Sequence, residues 1–153
     1  MKEVVIRKAV AKDLETLLQF EQGVIEAERA FDPTLKNSGV VYYDIKRMIE
    51  ADHIEVLVAV ADGKTIASGY ARIEDSELYL QHRQHAYLGF MYVLPEFRGR
   101  GINRMIVEKL RSWAGKQGIT ELRLEVYHKN EGAIKAYEKA GFSQHMIEMR
   151  LGL

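Results

Sequence analysis

The segment RGRGIN at positions 98–103 carries the residue types of an anion site. An amphipathic run begins at Ile102, so the N–H groups of this segment fall at a predicted helix N-terminus. Free N–H donors there, together with the positive end of the helix dipole, bind phosphate. Glycines let the backbone approach a phosphate, and Arg98, Arg100 and Arg104 add charge where a pyrophosphate would lie. A phosphorylated ligand is therefore predicted, and a glycine-rich turn with solvated arginines is the alternative.

Glycine spacing argues against two other phosphate-binding motifs. A P-loop needs glycine, four residues and then Gly-Lys-Ser or Gly-Lys-Thr, and no such string occurs. A dinucleotide fingerprint that starts at Gly99 and continues through Gly101 needs a third glycine where the sequence has Arg104. The absence of a P-loop argues against kinase-like and GTPase-like chemistry. A nucleotide-binding protein that uses the loop for ATP or NAD stays as an alternative.

Two histidines stand three residues apart in the polar stretch QHRQH. A metal site at His82 and His85 would need further ligands, and the chain has no cysteine to supply one. The nearby Asp75 and Glu77 have no recognisable ligand spacing. This stretch is therefore predicted to be a solvated loop, and no metal is expected.

The segments that must position these residues alternate between strand-like and helical patterns. An Asp62-Gly63 dipeptide predicts a type I′ hairpin turn, and Asp13 can cap the first helix. The order of the elements predicts a mixed α/β or α+β fold with one sheet, antiparallel at its start and carrying crossover helices later. Strands are predicted at 4–7, 54–61, 65–73, 87–94, 121–127 and 142–151, and helices at 14–25, 43–50, from 102 to Gly115 or Gly118, and 131–140.

Length and composition limit the classes of function. The 153 residues are 47% hydrophobic, which suits one domain over 1–153. Twenty-two basic residues balance 22 acidic ones, so no net charge favours nucleic acid or an anionic membrane as a partner. The first dozen residues lack the apolar core of a signal peptide. We therefore expect a soluble, cytoplasmic protein.

Two blocks of sequence resemble the GNAT superfamily, the GCN5-related N-acetyltransferases. The first is MYVLPEFRGRGINRMIVEKL at 91–110, and the second is NEGAIKAYEKAGF at 130–142. The family motif is Gln or Arg, two residues, Gly, one residue, then Gly or Ala. Arg98 and Gly101 match it, whereas Asn103 replaces the small last residue. The resemblance covers the whole chain and implies a central, mostly antiparallel sheet with two splayed parallel strands at a cofactor cleft, flanked by about four helices.

The resemblance also implies which residues hold acetyl-CoA, the expected cosubstrate. In this family the strand that ends at 91–93 offers backbone groups to the pantetheine arm, the glycine loop cradles the pyrophosphate, and the asparagine of the second block lies near the pantetheine. Asn130 could equally be the N-cap of the helix that follows. The cofactor residues expected in this chain are Met91, Tyr92, Val93, Arg98, Gly99, Arg100, Gly101, Ile102, Asn103, Arg104, Asn130 and Tyr137.

Acetyl transfer to an amine requires deprotonation of the ammonium, stabilisation of an oxyanion and protonation of the leaving thiolate. A backbone N–H within 91–93 could hold the oxyanion. Tyr137 matches the family's tyrosine near the CoA sulfur and is the candidate acid, with a core aromatic role as the alternative. Glu125 is the candidate base, because it interrupts the apolar strand LRLEVY five residues before Asn130. The alternative is that Glu125 lies on the polar face of the sheet.

The resemblance places the acceptor amine between the first two helices, around Glu26, Glu28, Arg29, Phe31, Asp32 and Tyr42 or Tyr43. Acidic side chains there would suit a cationic amine. The function implied is an acetyl-CoA-dependent N-acetyltransferase that acts on a primary amine of a small molecule or peptide, by direct attack through a tetrahedral intermediate. A non-catalytic acyl-CoA-binding module is the alternative. The protein is expected to be a monomer or a homodimer.

Overall fold

The computed structural model describes residues 3–153. Its strands and helices follow the predicted order up to the helix at Glu131–Lys139, and short 3-10 turns lie at Ala11–Asp13 and Pro95–Phe97. Within the described residues, no helix is long and apolar enough to cross a membrane. In chain order the elements are β1 Val4–Lys8, α1 Leu14–Glu28, α2 Ile45–Glu50, β2 Ile54–Ala61, β3 Lys64–Asp75, β4 Gln84–Val93, α3 Ile102–Lys116, β5 Leu122–Arg123 and α4 Glu131–Lys139.

The five strands form one sheet in the order β1-β2-β3-β4-β5. The first four are antiparallel neighbours, and β5 is parallel to β4. Asp62 and Gly63 join β2 to β3 with φ values of 51° and 74°. Positive φ at both central residues is the requirement of a type I′ turn, so the predicted hairpin is confirmed.

Helices cover both faces of the sheet. Ile102, Ile106 and Leu110 of α3 are buried against one face, in a cluster that also takes side chains from β2, β3 and β4. On the other face, α1 and α2 bury Leu17 and Ile45 in a second cluster. Because both faces are covered, β2 reads as a nearly continuous apolar run, IEVLVAVA, rather than as an alternating one.

Strand β5 is much shorter than the predicted strand at 121–127. It pairs with β4 only at Ala86–Leu122 and Tyr87–Arg123, and beyond Tyr87 the two segments separate. Leu124 packs against the α3 cluster without joining a ladder. Leu124 is thus partly buried by packing against this cluster instead of by strand pairing, a difference that the alternating pattern could not show. The two diverging strands agree with the splayed pair that the resemblance implies.

The prediction of a strand at 142–151 is wrong for the single chain. Phe142 packs against the α3 cluster, but residues 143–153 are exposed and belong to no strand. The alternating pattern is present, yet the chain places no partner strand beside it.

The helix predictions are confirmed with small shifts at their ends. Segment α2 begins at Ile45 rather than at 43, and α3 ends at Lys116. Asp13 precedes α1, but its carboxylate accepts the N–H of Val10 at 2.8 Å and pairs with Arg7 at 2.8 Å instead of capping the helix. This bond fixes the turn between β1 and α1. Arg7 in turn holds the pKa of Asp13 below its usual value.

Candidate functional site

The glycine loop leads directly into α3. Gly99 and Gly101 have φ values of 76° and 75°, a conformation that side chains rarely adopt. The first backbone bond of α3 runs from the Met105 N–H to the Gly101 carbonyl at 3.1 Å. The N–H groups of Ile102 and Asn103 precede that bond, at the end of the helix where amides lack intrahelical partners. The loop therefore presents backbone donors and the positive end of a 15-residue helix to one point.

A cavity of about 260 Å³ opens at this point. One wall is the glycine loop with the first turn of α3, and the opposite wall is α4. Eight of its lining residues were predicted from the sequence, and the four that were not are Phe97, Val107, Ala136 and Ala140. The lining consists of Val93, Phe97, Arg98, Gly99, Gly101, Ile102, Asn103, Arg104, Val107, Ala136, Tyr137 and Ala140.

Tyr137 lies between the cavity and the core. Its ring meets Phe142 edge-on at a centroid distance of 5.9 Å, and it packs against the α3 cluster. Burial raises the pKa of the Tyr137 hydroxyl, while an interaction with the Asn103 side chain acts in the opposite direction. The hydroxyl is therefore protonated at neutral pH, as a proton donor must be. Asn103, the residue that departs from the family motif, contributes to this wall.

Four residues predicted to bind the cofactor lie outside the cavity lining: Met91, Tyr92, Arg100 and Asn130. The Asn130 side chain accepts the N–H of Ala133 at 3.3 Å, so it serves as the N-cap of α4. Arg100 lies over the ring of Phe97 at 5.3 Å. Arg98 donates from Nε to the Val93 carbonyl at 2.9 Å, which ties the loop to the end of β4.

A bulge in β4 separates its paired part from its free end. Ser68 pairs with Tyr92 and Tyr70 pairs with Gly89, so β4 contains one more residue than β3 between these two rungs. Phe90 in the bulge has φ 55°, and the buried Ser68 hydroxyl donates to its carbonyl at 2.9 Å. The sequence analysis did not predict this bulge, although Gly89, a glycine inside the predicted strand at 87–94, is a residue type that often marks one. The bulge reorients the backbone of 91–93, the segment expected to face the thioester.

Glu125 follows β5 on the strand that diverges from β4. Its side chain is exposed. Nevertheless, its negative charge acts on two tyrosines of the sheet: burial raises the pKa of Tyr87 and of Tyr70, and Glu125 adds to both shifts. Glu125 is therefore close enough to Tyr70 and Tyr87 for its charge to act on both hydroxyl groups.

An acidic aromatic face, made of Glu28, Phe31, Asp32, Tyr42 and Tyr127, lies where the end of α1 meets the segment after β5. The Tyr42 hydroxyl donates to Glu28 Oε2 at 2.8 Å, and the Tyr127 hydroxyl lies 3.4 Å from Asp32 Oδ2. Phe31 stacks on Tyr127 with a centroid distance of 5.8 Å. Burial raises the pKa of Glu28, and the bond from Tyr42 opposes that rise. Glu26, by contrast, is exposed and pairs with Arg29 at 3.3 Å.

Two buried polar groups outside the predicted site also shape it. The Glu21 carboxylate accepts the N–H groups of Tyr42 and Tyr43 at 2.9 and 2.7 Å, which anchors the segment before α2 to α1. His85, predicted to lie in a solvated loop, is buried in β4 between Ser76 and Glu74. Across residues 3–153, acidic and histidine side chains form no group of three that could hold a metal ion.

Several known proteins are similar to this chain. The model of the acetyltransferase (GNAT) family matches residues 19–142. An uncharacterized N-acetyltransferase from Methanocaldococcus jannaschii is 27% identical over 149 residues, which are 96% of this chain and 64% of that protein. The chain thus spans less than two thirds of that relative's length.

Two further proteins are similar in sequence or in fold. Aminoglycoside N(6')-acetyltransferase type 1 of Salmonella typhimurium is 26% identical over 104 residues, which are 66% of this chain and 70% of that one. A predicted acetyltransferase from Clostridium acetobutylicum, solved with acetyl-CoA, has the same fold with a TM-score of 0.74 and 19% identity, over 98% of this chain and 96% of that one. The family match covers both sequence blocks and the segment between them. The chain belongs to the acetyltransferase (GNAT) family.

Proposed function

We propose that the protein transfers acetyl from acetyl-CoA to a primary amine of a small molecule or peptide, by direct attack of the amine through a tetrahedral intermediate. The observation that carries the proposal is the cavity at the N-terminus of α3, walled by the glycine loop on one side and by Tyr137 on the other. Backbone donors suit a pyrophosphate, and apolar helix faces suit the pantetheine arm. The relative solved with acetyl-CoA shares this fold.

Each step has a candidate group in this chain. Acetyl-CoA would supply the activated acyl group and a thiolate that leaves. The N–H groups of Ile102 and Asn103 would hold the pyrophosphate, and a backbone N–H within 91–93, beyond the bulge, would hold the oxyanion. Tyr137, which keeps its proton at neutral pH, would protonate the thiolate. Glu125, exposed on the diverging side of the cleft, would accept the ammonium proton directly or through water.

The acceptor that fits best carries more than one positive charge. Glu28 and Asp32 contribute two carboxylates to the acidic aromatic face, and the rings of Tyr42, Phe31 and Tyr127 stand around them. Carboxylates attract a second ammonium, while aromatic faces attract cations and cover carbon skeletons. The Salmonella relative is named for aminoglycosides, which are multiply charged amines.

Release of free thiol from acetyl-CoA with a panel of amines tests the proposal. The panel holds an alkyl monoamine, a diamine of the same length, an aminoglycoside and a peptide with a free N-terminus. We expect the diamine and the aminoglycoside to give the highest kcat/KM. Glu28→Gln should raise the KM for the diamine roughly tenfold or more, since a hydrogen bond to a charged group is worth about 1.5–3 kcal/mol. The matched control is Glu26→Gln, an exposed carboxylate two residues away.

The pH dependence of KM gives a second test of the acceptor site. Because the pKa of Glu28 is raised, its carboxyl group stays neutral to a higher pH than an ordinary glutamate. A neutral carboxyl does not attract an ammonium, so KM for the diamine should fall as pH rises through the pKa of Glu28. Glu28→Gln should remove that dependence. Equal KM values for Glu28→Gln and Glu26→Gln at every pH would exclude Glu28 from the acceptor site.

A non-catalytic acyl-CoA-binding module is the second candidate function. It is favoured by the packing of Tyr137 against Phe142, which a purely structural tyrosine would also show. Calorimetric binding of acetyl-CoA without thiol release from any amine of the panel would support it against the enzyme. Binding of ATP or NAD in preference to acetyl-CoA would overturn both candidates.

A further inference from the structure

Arg72 is a fixed cation on the face of the sheet that α1 and α2 cover. Alternation along β3 places its side chain on the same face as Tyr70, which is buried in the cluster with α1 and α2, whereas Ala71 is buried in the α3 cluster. The guanidinium carbon lies 5.5 Å from the ring centroid of Tyr70 and 5.5 Å from that of Tyr87. Two aromatic rings therefore hold this cation by cation–π attraction.

A chain of polar contacts also fixes the guanidinium. Arg72 Nε and Nη2 lie 2.8 and 2.6 Å from the same oxygen of Glu74, Oε1. The second oxygen of Glu74 lies 3.3 Å from Nε2 of the buried His85, whose Nδ1 lies 2.8 Å from the Ser76 hydroxyl. Nη1 takes no part in the contact with Glu74, and 35% of the Arg72 side chain is exposed. Arg72 is thus held in place before a ligand arrives, while part of it stays accessible.

The position of Arg72 is level with the point where β4 and β5 separate. Arg72 pairs across the sheet with Tyr87, and Tyr87 pairs with Arg123 in the last rung that joins β5 to β4. Glu125, the candidate base, lies two residues beyond this rung, and its charge acts on both tyrosines that enclose Arg72. A ligand group bound to Arg72 would therefore lie close to the candidate base.

A row of aromatic rings connects Arg72 to the acidic aromatic face. The ring of Tyr43 lies 5.7 Å from that of Tyr42 and 5.8 Å from that of Tyr70, between centroids. Tyr42 in turn donates its hydroxyl to Glu28 at 2.8 Å. The row thus has a fixed cation at one end and a carboxylate at the other, with rings between them that can cover a carbon chain.

We propose that Arg72 binds a carboxylate of the acceptor, so that the acceptor is an α-amino acid with a cationic side chain rather than a polyamine without an acid group. This assignment rests on the proposed acetyl transfer and gives the substrate class of the same site. A planar guanidinium matches a carboxylate with two parallel hydrogen bonds. A phosphate, which carries nearly two negative charges, would be repelled more strongly than a carboxylate by Glu74 and Glu125.

The orientation of the acceptor follows from the positions of the charges. Its α-nitrogen is attached to the carbon that bears the carboxylate, so it lies beside Glu125, and the side-chain ammonium points along the row to Glu28. Asp32 is less available to that ammonium, because it already pairs with Arg150 at 3.4 Å. The α-ammonium gives one proton to Glu125 or to water, and its nitrogen forms the amide bond as the C–S bond of the thioester breaks. Loss of its second proton balances protonation of the thiolate.

Three related amines test this assignment: L-lysine, L-lysinamide, whose acid group is neutral, and 1,5-diaminopentane, which has none. We expect KM for lysine to be at least about tenfold lower than KM for lysinamide, the value of a charge-assisted hydrogen bond. Arg72→Gln should raise KM for lysine at least about tenfold and change KM for the other two less than about threefold. Arg111→Gln, at an exposed arginine of α3, should change none of them. Mass spectrometry of the lysine product should place the acetyl group on the α-nitrogen.

A double variant separates carboxylate binding from charge balance. Arg72→Gln alone leaves Glu74 without its cation, which can favour any positively charged amine. Arg72→Gln combined with Glu74→Gln removes one charge of each sign and keeps the local net charge. The double variant should still have the raised KM for lysine. Arg72→Lys keeps the charge without the planar fork and should recover only part of the loss.

Calorimetry of lysine binding gives a readout that does not require turnover. Lysine should bind the unaltered protein and bind Arg72→Gln at least about tenfold more weakly, with circular dichroism showing that the variant is folded. Equal KM values for lysine and lysinamide, with thiol released from both, would overturn the assignment and leave the proposed transfer intact. A normal KM for lysine in the double variant, or acetyl on the side-chain nitrogen alone, would also overturn it.

Failure of the proposed transfer gives a different pattern. No amine would then release thiol, and calorimetry would decide the role of Arg72 by itself. Lysine binding that is lost in Arg72→Gln would still support a carboxylate site at this residue. No binding of lysine to the unaltered protein would overturn that site as well.

Discussion

At the scale of single residues, Tyr137 combines a buried ring with a hydroxyl on the cavity wall. The ring packs on Phe142, so its role in the core does not need the oxygen. Burial raises the pKa of the hydroxyl, which keeps it protonated through neutral pH and into the alkaline range. A group of this kind can donate a proton only when the thiolate forms, and its removal should therefore affect the chemical step.

Tyr137→Phe should lower kcat by about 100-fold, the lower end of general acid catalysis, because a thiol is a fairly good leaving group. The KM for acetyl-CoA and the melting temperature should change little, since the ring is kept. The control is Tyr79→Phe, at an exposed tyrosine. A full kcat in Tyr137→Phe would leave this residue with a core role alone.

Asn103 lies both in the cavity lining and in the first turn of α3. Asn103→Asp adds a negative charge at a helix N-terminus, which should stabilise the fold by about 0.3–1 kcal/mol. The same charge beside a pyrophosphate should weaken acetyl-CoA binding at least about tenfold, since two like charges at 4 Å repel by roughly 1–4 kcal/mol in polar surroundings.

The two effects of Asn103→Asp therefore have opposite signs, and thermal melting and calorimetry measure them separately. Asn103→Ala removes the amide without adding charge and should change affinity much less. Unaltered affinity in the aspartate variant, with the expected gain in stability, would place the phosphates away from this turn.

At the scale of elements, the bulge in β4 depends on one buried hydrogen bond. Ser68 is fully buried, and its hydroxyl satisfies the Phe90 carbonyl in a residue that has positive φ. Ser68→Ala leaves this carbonyl without its donor, which should cost about 1–3 kcal/mol of unfolding free energy. A fall in melting temperature of a few degrees per kcal/mol should follow.

Because the bulge orients the backbone of 91–93, Ser68→Ala should also lower kcat beyond what its stability loss explains. Activity is best measured well below the melting temperature, with Ser112→Ala, at an exposed serine of α3, as the control. A destabilised variant with normal kcat would separate the bulge from the reacting groups.

The sequence predicted those elements that are determined by residues close together in the chain. Asp62-Gly63 specifies its turn through φ, and the apolar spacing of Ile102, Ile106 and Leu110 specifies α3. The glycine loop was recognised because its chemistry lies in consecutive residues. The bulge at Phe90 was not predicted: the neighbouring Gly89 is compatible with a bulge, but the extra residue in β4 relative to β3 is a relation between two strands.

The C-terminal half of the site shows a second limit of sequence patterns. Alternation in LRLEVY and after Phe142 predicts strands of six residues or more, but alternation does not tell whether a neighbouring strand exists. Leu124 is covered by a helix, and residues 147–151 remain uncovered within one chain. Glu21 was missed for a related reason: its two backbone partners lie 21 and 22 residues away.

At the scale of the whole molecule, the sheet divides unevenly. Strands β1 to β4 are joined by long antiparallel ladders, whereas β5 is joined to β4 by two paired positions. The cavity lies across this division, with the glycine loop and α3 on the well-paired side and α4 on the other.

This division makes amide hydrogen exchange sensitive to the ligand. Segments held by few hydrogen bonds open at a lower free energy than the rest of a protein, so amides of 122–141 should exchange sooner than those of β2 and β3. A ligand that contacts α3 and α4 together must be released before α4 can separate, and its binding free energy is added to the cost of that opening. Acetyl-CoA would then slow exchange most strongly in α4, in the part of the protein with the weakest connection to the sheet.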